Sequence, residues 1–467
     1  MSNILAGTAR INITPQEPIH MGGFGQRTTE HEGVHDPLYT KALYLSNDRG
    51  AKLLWITNDL LHIPGDIRSD TVKQIKERTG LSEDQILISA SHTHSGPAVR
   101  DNIAPTEAMQ RYAEYLATSF AEAGSQAIEA ARPSKIRMGT GKGDFSVNRR
   151  TRGNPNIVDD RIIAMAVEDD ASGETSAVLF GIGLHPVCIG YENYLISADY
   201  PGYAQKLIEE KLPAKNALFF NMAEGNMIPS TRVPTDSMDP RGYNGRDFGA
   251  AEKIGTLLSK EVISILQDAP YAADLQLASR FQVIDIRANK YDLDPDEAMQ
   301  RMQENQRVIA EYLGEEYFAG ASLENPAPLK SLWSDACRVV VEQDMPEDEM
   351  HRLLSSICHF RMNIFRAMNP GDNWVAMPIQ VIRINDYQFL ALPGEVLIEV
   401  AFAWEKATNS EKSFIVALAN DHFGYLPHST NFDEPGAQDK YETIMHFLEP
   451  KAMDLAVEEA YNITQTL

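Results

Sequence analysis

The chain lacks a basic excess, a cysteine framework and any apolar run long enough to span a bilayer. Of 467 residues, 42 are Lys or Arg against 66 Asp or Glu, a formal charge of -24. No Lys/Arg block stands out. Nucleic acid and anionic membrane surfaces are therefore excluded as main partners, because both need a basic footprint. Three cysteines, Cys188, Cys337 and Cys358, form no disulfide framework, and an odd count suits a reducing cytoplasm. The stretch Met1 to Arg10 has no basic region leading into an apolar one, so no secretory signal is expected and the expected location is cytoplasmic. The longest apolar run, about Ala177 to Gly190, is interrupted by His185 and is too short for a transmembrane segment.

What is present is ordinary globular composition, 43% apolar and 23% charged. Strand and helix signals alternate over the first two hundred or so residues, which points to an α/β class. The pattern predicts strands over 52–57, 85–89, 177–182 and 217–220. Helical spacing predicts helices over 67–78, 107–131 and 200–212, the first stopped by Gly80 and the second by Pro133. From Tyr291 to Ala367 the pattern becomes mostly helical, with a break at Asn325 to Pro328, and predicts a helical insertion near residues 291–369. Strand signals return at 379–384, 388–392 and 414–418. With no repeat and no flexible linker, one elaborated domain over 1–467 is the expected organisation.

The chemically capable residues fall at the ends of these strands. Asp59 follows one, and His92 and His94 follow the next, in Ser91-His-Thr-His-Ser-Gly-Pro97. His185, Glu224, Glu395 in Pro393-Gly-Glu395, and Asn420-Asp421 follow others. In α/β proteins ligands bind outside the carboxyl ends of strands, so these segments are expected to converge on one cleft. Each residue taken singly also has a plain structural role. His185 fits a satisfied core histidine, Glu395 a carboxylate opening a helix, and Asp199 an N-cap. Alternation along an extended segment places His92 and His94 on one side, facing one cavity. A catalytic zinc site takes three ligands from His, Asp, Glu or Cys and keeps a position open. A further histidine beside it serves proton transfer.

Taken in order, several blocks of the chain resemble the neutral/alkaline non-lysosomal ceramidases, specifically their N-terminal catalytic domain. The blocks are Gly7-Thr-Ala-Arg-Ile-Asn-Ile-Thr-Pro15, Met21-Gly-Gly23, Gly33-Val-His-Asp-Pro-Leu38 and the intact Ser91-to-Pro97 motif. Val147-Asn-Arg149, His185 with Leu195 to Asp199, Pro393-Gly-Glu395, Ala419 to Tyr425 and Tyr441-Glu442 continue the series. The resemblance implies two mixed β-sheets flanked by helices (αββα-like). It implies zinc held by His92, His185, Glu395 and the phenol of Tyr425. It assigns His94 as acid/base, with Arg149 and Tyr441 polarising the scissile carbonyl.

Two departures bear on mechanism and extent. Where the family reads Gly-Asp-Val-Ser-Pro, this chain reads Gly225-Asn-Met-Ile-Pro229, so a serine nucleophile is excluded at that position and metal-activated water is the expected attacking group. The family's C-terminal β-sandwich is not expected, the chain ending at Leu467 soon after the tyrosine block. The expected activity is zinc-dependent hydrolysis of the amide of a small-molecule N-acylated amine. The alternatives are a zinc hydrolase of a small soluble amide, ester or lactone, and a non-catalytic metal-binding or sensor protein.

Overall fold

Trp55, Phe220 and Phe389 meet between two β-sheets, with ring centroids 4.9, 5.5 and 6.1 Å apart. They project from the strands Lys52–Asn58, Asn216–Asn221 and Tyr387–Ala391. Each fully buried ring of this kind contributes about 1.5–3 kcal/mol of hydrophobic stabilisation. The structure is a computed structural model describing residues 4–100, 106–150, 157–230, 238–243, 247–288, 295–319, 331–368 and 373–467.

The larger sheet has eight strands. Their spatial order is Asn216–Asn221, Thr175–Ile182, Arg161–Asp169, Arg132–Lys142, Ile4–Asn12, Tyr39–Asn47, Lys52–Asn58, Ile86–Ala90. Its two halves join through only two residue pairs, Leu5 with Pro133 and Ala6 with Arg132. The smaller sheet runs Leu277–Arg287, Trp374–Ile384, Tyr387–Ala391, Ser413–Val416. Both sheets are mixed. Lys52–Asn58 pairs in parallel with Ile86–Ala90, and Tyr387–Ala391 with Ser413–Val416, whereas most other neighbours are antiparallel.

Helices cover the outer faces. Gly65–Thr79, Glu107–Glu129, Asp199–Lys211 and Phe248–Asp268 pack on the larger sheet, and Ile398–Thr408 and Ala452–Thr464 on the smaller. The amphipathic stripe of Glu107–Glu129 supplies Met109, Leu116, Phe120, Ala123 and Ala127 to the core, as the spacing predicts. Gly80 ends its helix in the left-handed conformation, at φ 72°. The expected αββα-like arrangement is therefore present.

The helical region contains Pro295–Leu313, Leu332–Glu342 and Glu347–Met368; the break expected at 325–328 lies outside the described residues. These helices have a hydrophobic cluster of their own, including Trp333, Leu354 and Ile357, which Ile444 joins from beside the tyrosine block. No helix among the described residues is long and apolar enough to cross a membrane.

What positions the site is the meeting of strand ends. The Asn221 side-chain amide donates to Ser91 O at 3.0 Å and Leu184 O at 3.2 Å. Ala417 N donates to Asn221 O, Ala90 N to Leu418 O, and Gly225 N to Val396 O. One buried asparagine and a few main-chain bonds thus tie the segments carrying His92, His185 and Glu395 to one another.

Candidate active site

His92 stands just past the strand Ile86–Ala90 with φ 72°, a left-handed conformation that costs a non-glycine residue about 1–3 kcal/mol. The expectation that simple alternation brings His92 and His94 to one side is corrected here. They share a cavity because the chain turns at His92, which sets the two Nε2 atoms 3.2 Å apart. The Gly22-Gly23 segment lies against this loop, and a Cβ on Gly23 would fall 2.6 Å from His94 Cγ.

Two of the imidazoles are locked by main-chain carbonyls. His92 Nδ1 lies 2.8 Å from Leu61 O, and His185 Nδ1 lies 2.7 Å from Glu224 O. A carbonyl only accepts, so both rings carry their proton on Nδ1 and turn a bare Nε2 lone pair inward. Those lone pairs face another acceptor. Glu395 Oε2 is 3.1 Å from His185 Nε2 and 3.3 Å from His92 Nε2. His94 differs, because its Nδ1 is buried with no hydrogen-bond partner, so no carbonyl dictates its tautomer. The donor atoms of His92, His94 and His185 all lie within 4.8 Å of one another.

The electrostatics follow from that crowding. Burial pushes His94 well below the usual imidazole range, and His92 and His185 push it further. Burial, then Arg149, lowers His185 to about 4, against the pull of Glu395. Glu224, buried with both carboxylate oxygens unpartnered, is driven the other way by burial and by Glu395. A divalent cation fits this set. Convergent acceptor atoms with no proton between them need positive charge, and imidazole with carboxylate is a zinc donor set.

Tyr425 and Arg149 sit beside this cluster. Glu395 and Tyr425 pair in a short parallel ladder, which places the phenol near the carboxylate. The Tyr425 hydroxyl accepts from Arg149 Nη2 at 3.1 Å, and burial raises its pKa well above the phenol range. Arg149 also donates through Nε to Glu442 at 2.7 Å and through Nη2 to Gly225 O at 2.7 Å. Tyr441 is partly exposed, with its ring edge-on to Tyr425 at 5.5 Å and tilted against Trp333 at 6.3 Å.

The seven residues that the resemblance assigns therefore lie beside one another, whereas Asp59, also expected in the cleft, accepts from Tyr39 N and the Gln205 amide instead. Two of the four expected metal ligands, His92 and His185, turn on one carboxylate oxygen of a third, Glu395, while the Tyr425 phenol is turned to Arg149. Asp199, expected as an N-cap, is instead the first helical residue. Its carboxylate staples Ile189 N and Tyr200 N.

Sequence reasoning missed Arg27, Arg150, Glu442 as an anchor, and the pair His62 and His422. Arg27 is buried and donates only to main-chain carbonyls, of Gly22, His94, Gly190 and Tyr191, so it crosslinks the loop carrying His94. Arg150 shares Glu442 with Arg149. The available signals were Glu442 following Tyr441 and His422 within Ala419 to Tyr425, both in blocks already recognised.

The family described as neutral/alkaline non-lysosomal ceramidase, N-terminal, matches residues 4–442. The chain is 24% identical to neutral ceramidase A of Dictyostelium discoideum, over 100% of its own length and 73% of the relative's. It is 23% identical to the neutral ceramidase of Pseudomonas aeruginosa, over 84% of its own length and 61% of the relative's. The crystal structure of neutral ceramidase from Pseudomonas aeruginosa superposes with a TM-score of 0.71 at 17% identity, over 100% of this chain and 75% of that one.

Proposed function

The chain belongs to the neutral/alkaline non-lysosomal ceramidase family, and from that premise we propose that it is a zinc-dependent amidohydrolase cleaving the amide of an N-acylated amine. The observation that carries the reading is the pair of carbonyl-locked imidazoles turned on one carboxylate oxygen. His92, His185 and Glu395 would hold the metal, with Tyr425 adjoining. Zinc bound there supplies a Lewis acid and an activated water at neutral pH.

The remaining steps belong to side chains. His94, neutral and free of a dictated tautomer, accepts a proton through one ring nitrogen and passes it to the departing amine. Tyr441 donates to the oxygen that gains charge as the carbonyl is attacked. Arg149 has Nε and Nη2 committed to Glu442, Gly225 and Tyr425, so it acts on the site by holding the Tyr425 phenol. Ile228, where the family has serine, is buried and takes no part.

The test is zinc analysis of the purified protein combined with turnover of N-acyl amines. One equivalent of zinc and hydrolysis that His92→Ala abolishes are expected. Protein that takes up no zinc on reconstitution, or hydrolysis indifferent to His92→Ala, overturns the reading.

A further inference from the structure

The helix Asp199–Lys211 does not close fully on the larger sheet. Between it and the strands Ile4–Asn12 and Tyr39–Asn47 lies a cavity of about 460 Å³, a size within the range of small-ligand sites. None of the residues assigned to the metal or to proton transfer lines it. Three carboxylates, Asp36, Asp59 and Glu209, and three cations, Arg10, Lys41 and Lys206, do.

These charges are sorted along the helix. Glu209 accepts from Arg10 at 3.0 Å and from Lys41 at 2.8 Å, so two cations share one anion and this end stays positive. Lys41 is buried and donates a second proton to Ala217 O, which leaves a third for a ligand. At the other end the carboxylates are held by uncharged donors. Asp36 accepts from Ser197 Oγ and Ala198 N, and Asp59 from Tyr39 N and the Gln205 amide. Lys206 stands exposed at the rim, where water and salt screen it.

Asp59 is only 5% exposed. A buried carboxylate held by neutral donors is costly, and an ammonium group beside it would offset that cost. Each Asp59 oxygen accepts one hydrogen bond and keeps a lone pair for such a group.

The spacing of the two ends sets the length of a ligand. Gln205, on Asp59, and Glu209, on Arg10 and Lys41, stand four residues apart, about 6 Å along the helix axis. Tyr39 spans that interval. Its N–H is on Asp59, and its ring lies under Arg10 at 5.2 Å and Lys41 at 5.7 Å. An extended chain advances roughly 3.5 Å per residue, so one amino acid falls short of the far end and two reach it. A ligand with charge of one sign would meet its like at one end.

We infer that this cavity binds a linear zwitterion of dipeptide length, its ammonium group on Asp59 and its carboxylate on Arg10 and Lys41.

5-Aminopentanoate has that length and no amide bond, so its binding is independent of any hydrolysis. Calorimetric titration of the purified protein should show saturable binding about tenfold tighter than that of pentanoate, pentylamine or glycine, each of which forgoes a charged hydrogen bond. Arg10→Met leaves Glu209 to Lys41 alone, and should weaken 5-aminopentanoate about tenfold with pentylamine unchanged. Asp59→Asn should weaken it as much with pentanoate unchanged. Stripping the protein of metal with a chelator should leave the affinity as it was. No saturable binding, affinity no better than that of the three controls, or affinity that survives both substitutions overturns the site. Loss of binding on metal removal overturns it too, because the carboxylate would then be at the metal. If Asp59→Asn does not fold, Arg10→Met decides alone.

Discussion

Nε2 of His185 lies 3.1 Å from Oε2 of Glu395, and neither atom has a proton to place between them, because the His185 proton is held on Nδ1 by Glu224 O. The contact is repulsive without a cation and favourable with one. Glu395→Gln should therefore weaken zinc binding by more than the roughly 10–100-fold typical of a group outside the ligand shell. Competition with a chromophoric chelator measures this, and unchanged affinity would remove Glu395 from the ligand set.

The different tautomer constraints on His92 and His94 separate their roles. His92→Ala should lose zinc. His94→Ala should keep it and lose about 10²–10⁴ in kcat, the usual contribution of a positioned acid/base group. Equal loss of metal in both variants would make His94 a third imidazole ligand, an arrangement its 3.2 Å approach to His92 permits.

Glu442 is buried between Arg149 and Arg150, with Nε–Oε1 and Nη1–Oε2 distances of 2.7 and 2.9 Å. Removing its charge leaves two buried guanidinium groups short of an anion. Glu442→Gln should cost about 3 kcal/mol in urea unfolding and lower kcat by releasing Arg149 from Tyr425, with zinc content unchanged. A variant as stable and as active as the parent would show that this pairing is dispensable.

Gly225 allows two main-chain segments to touch. A Cβ there would lie 2.6 Å from Glu395 O and 2.8 Å from Leu397 Cδ1. Gly225→Ala should destabilise by about 1–3 kcal/mol and, by displacing Glu395, weaken zinc binding. Thermal melts with and without zinc separate the two effects, and a larger zinc-induced shift in the variant than in the parent would contradict the second.

Asp199 predicts a pH dependence of stability. Burial raises its carboxyl from 3.8 to about 6, against the hydrogen bonds it accepts. Between those values the folded chain binds more protons than the unfolded one, so stability falls as pH rises from about 4 to about 6 and is level above. The loss from this group is about 3 kcal/mol. Asp199→Asn should lack that component, and matching stability–pH curves for the two proteins would rule it out.

Much of this was legible in the residues because the signals are local. Gly80 ends a helix by its backbone freedom, the stripe on Glu107–Glu129 follows a 3.6-residue period, and reactive groups recur just past apolar runs. Two local inferences failed, Asp199 as an N-cap and the reason given for His92 and His94. Alternation assumes extended backbone, and the φ of 72° at His92 breaks it. His62 was passed over because it sits in no motif and His422 because no role fell to it within the Ala419-to-Tyr425 block, and 360 positions separate two rings that stack.

The sequence by itself determined the candidate ligands, the helical segment and the family resemblance, since each depends on residue identity, spacing or period. Only the tertiary structure decided what those groups face. The His92 and His185 protons are directed by carbonyls 31 and 39 positions away, and Arg149 is directed to Tyr425 by a carboxylate 293 positions away. A hydrogen bond is set by where a lone pair points in space, and no spacing along the chain encodes that direction.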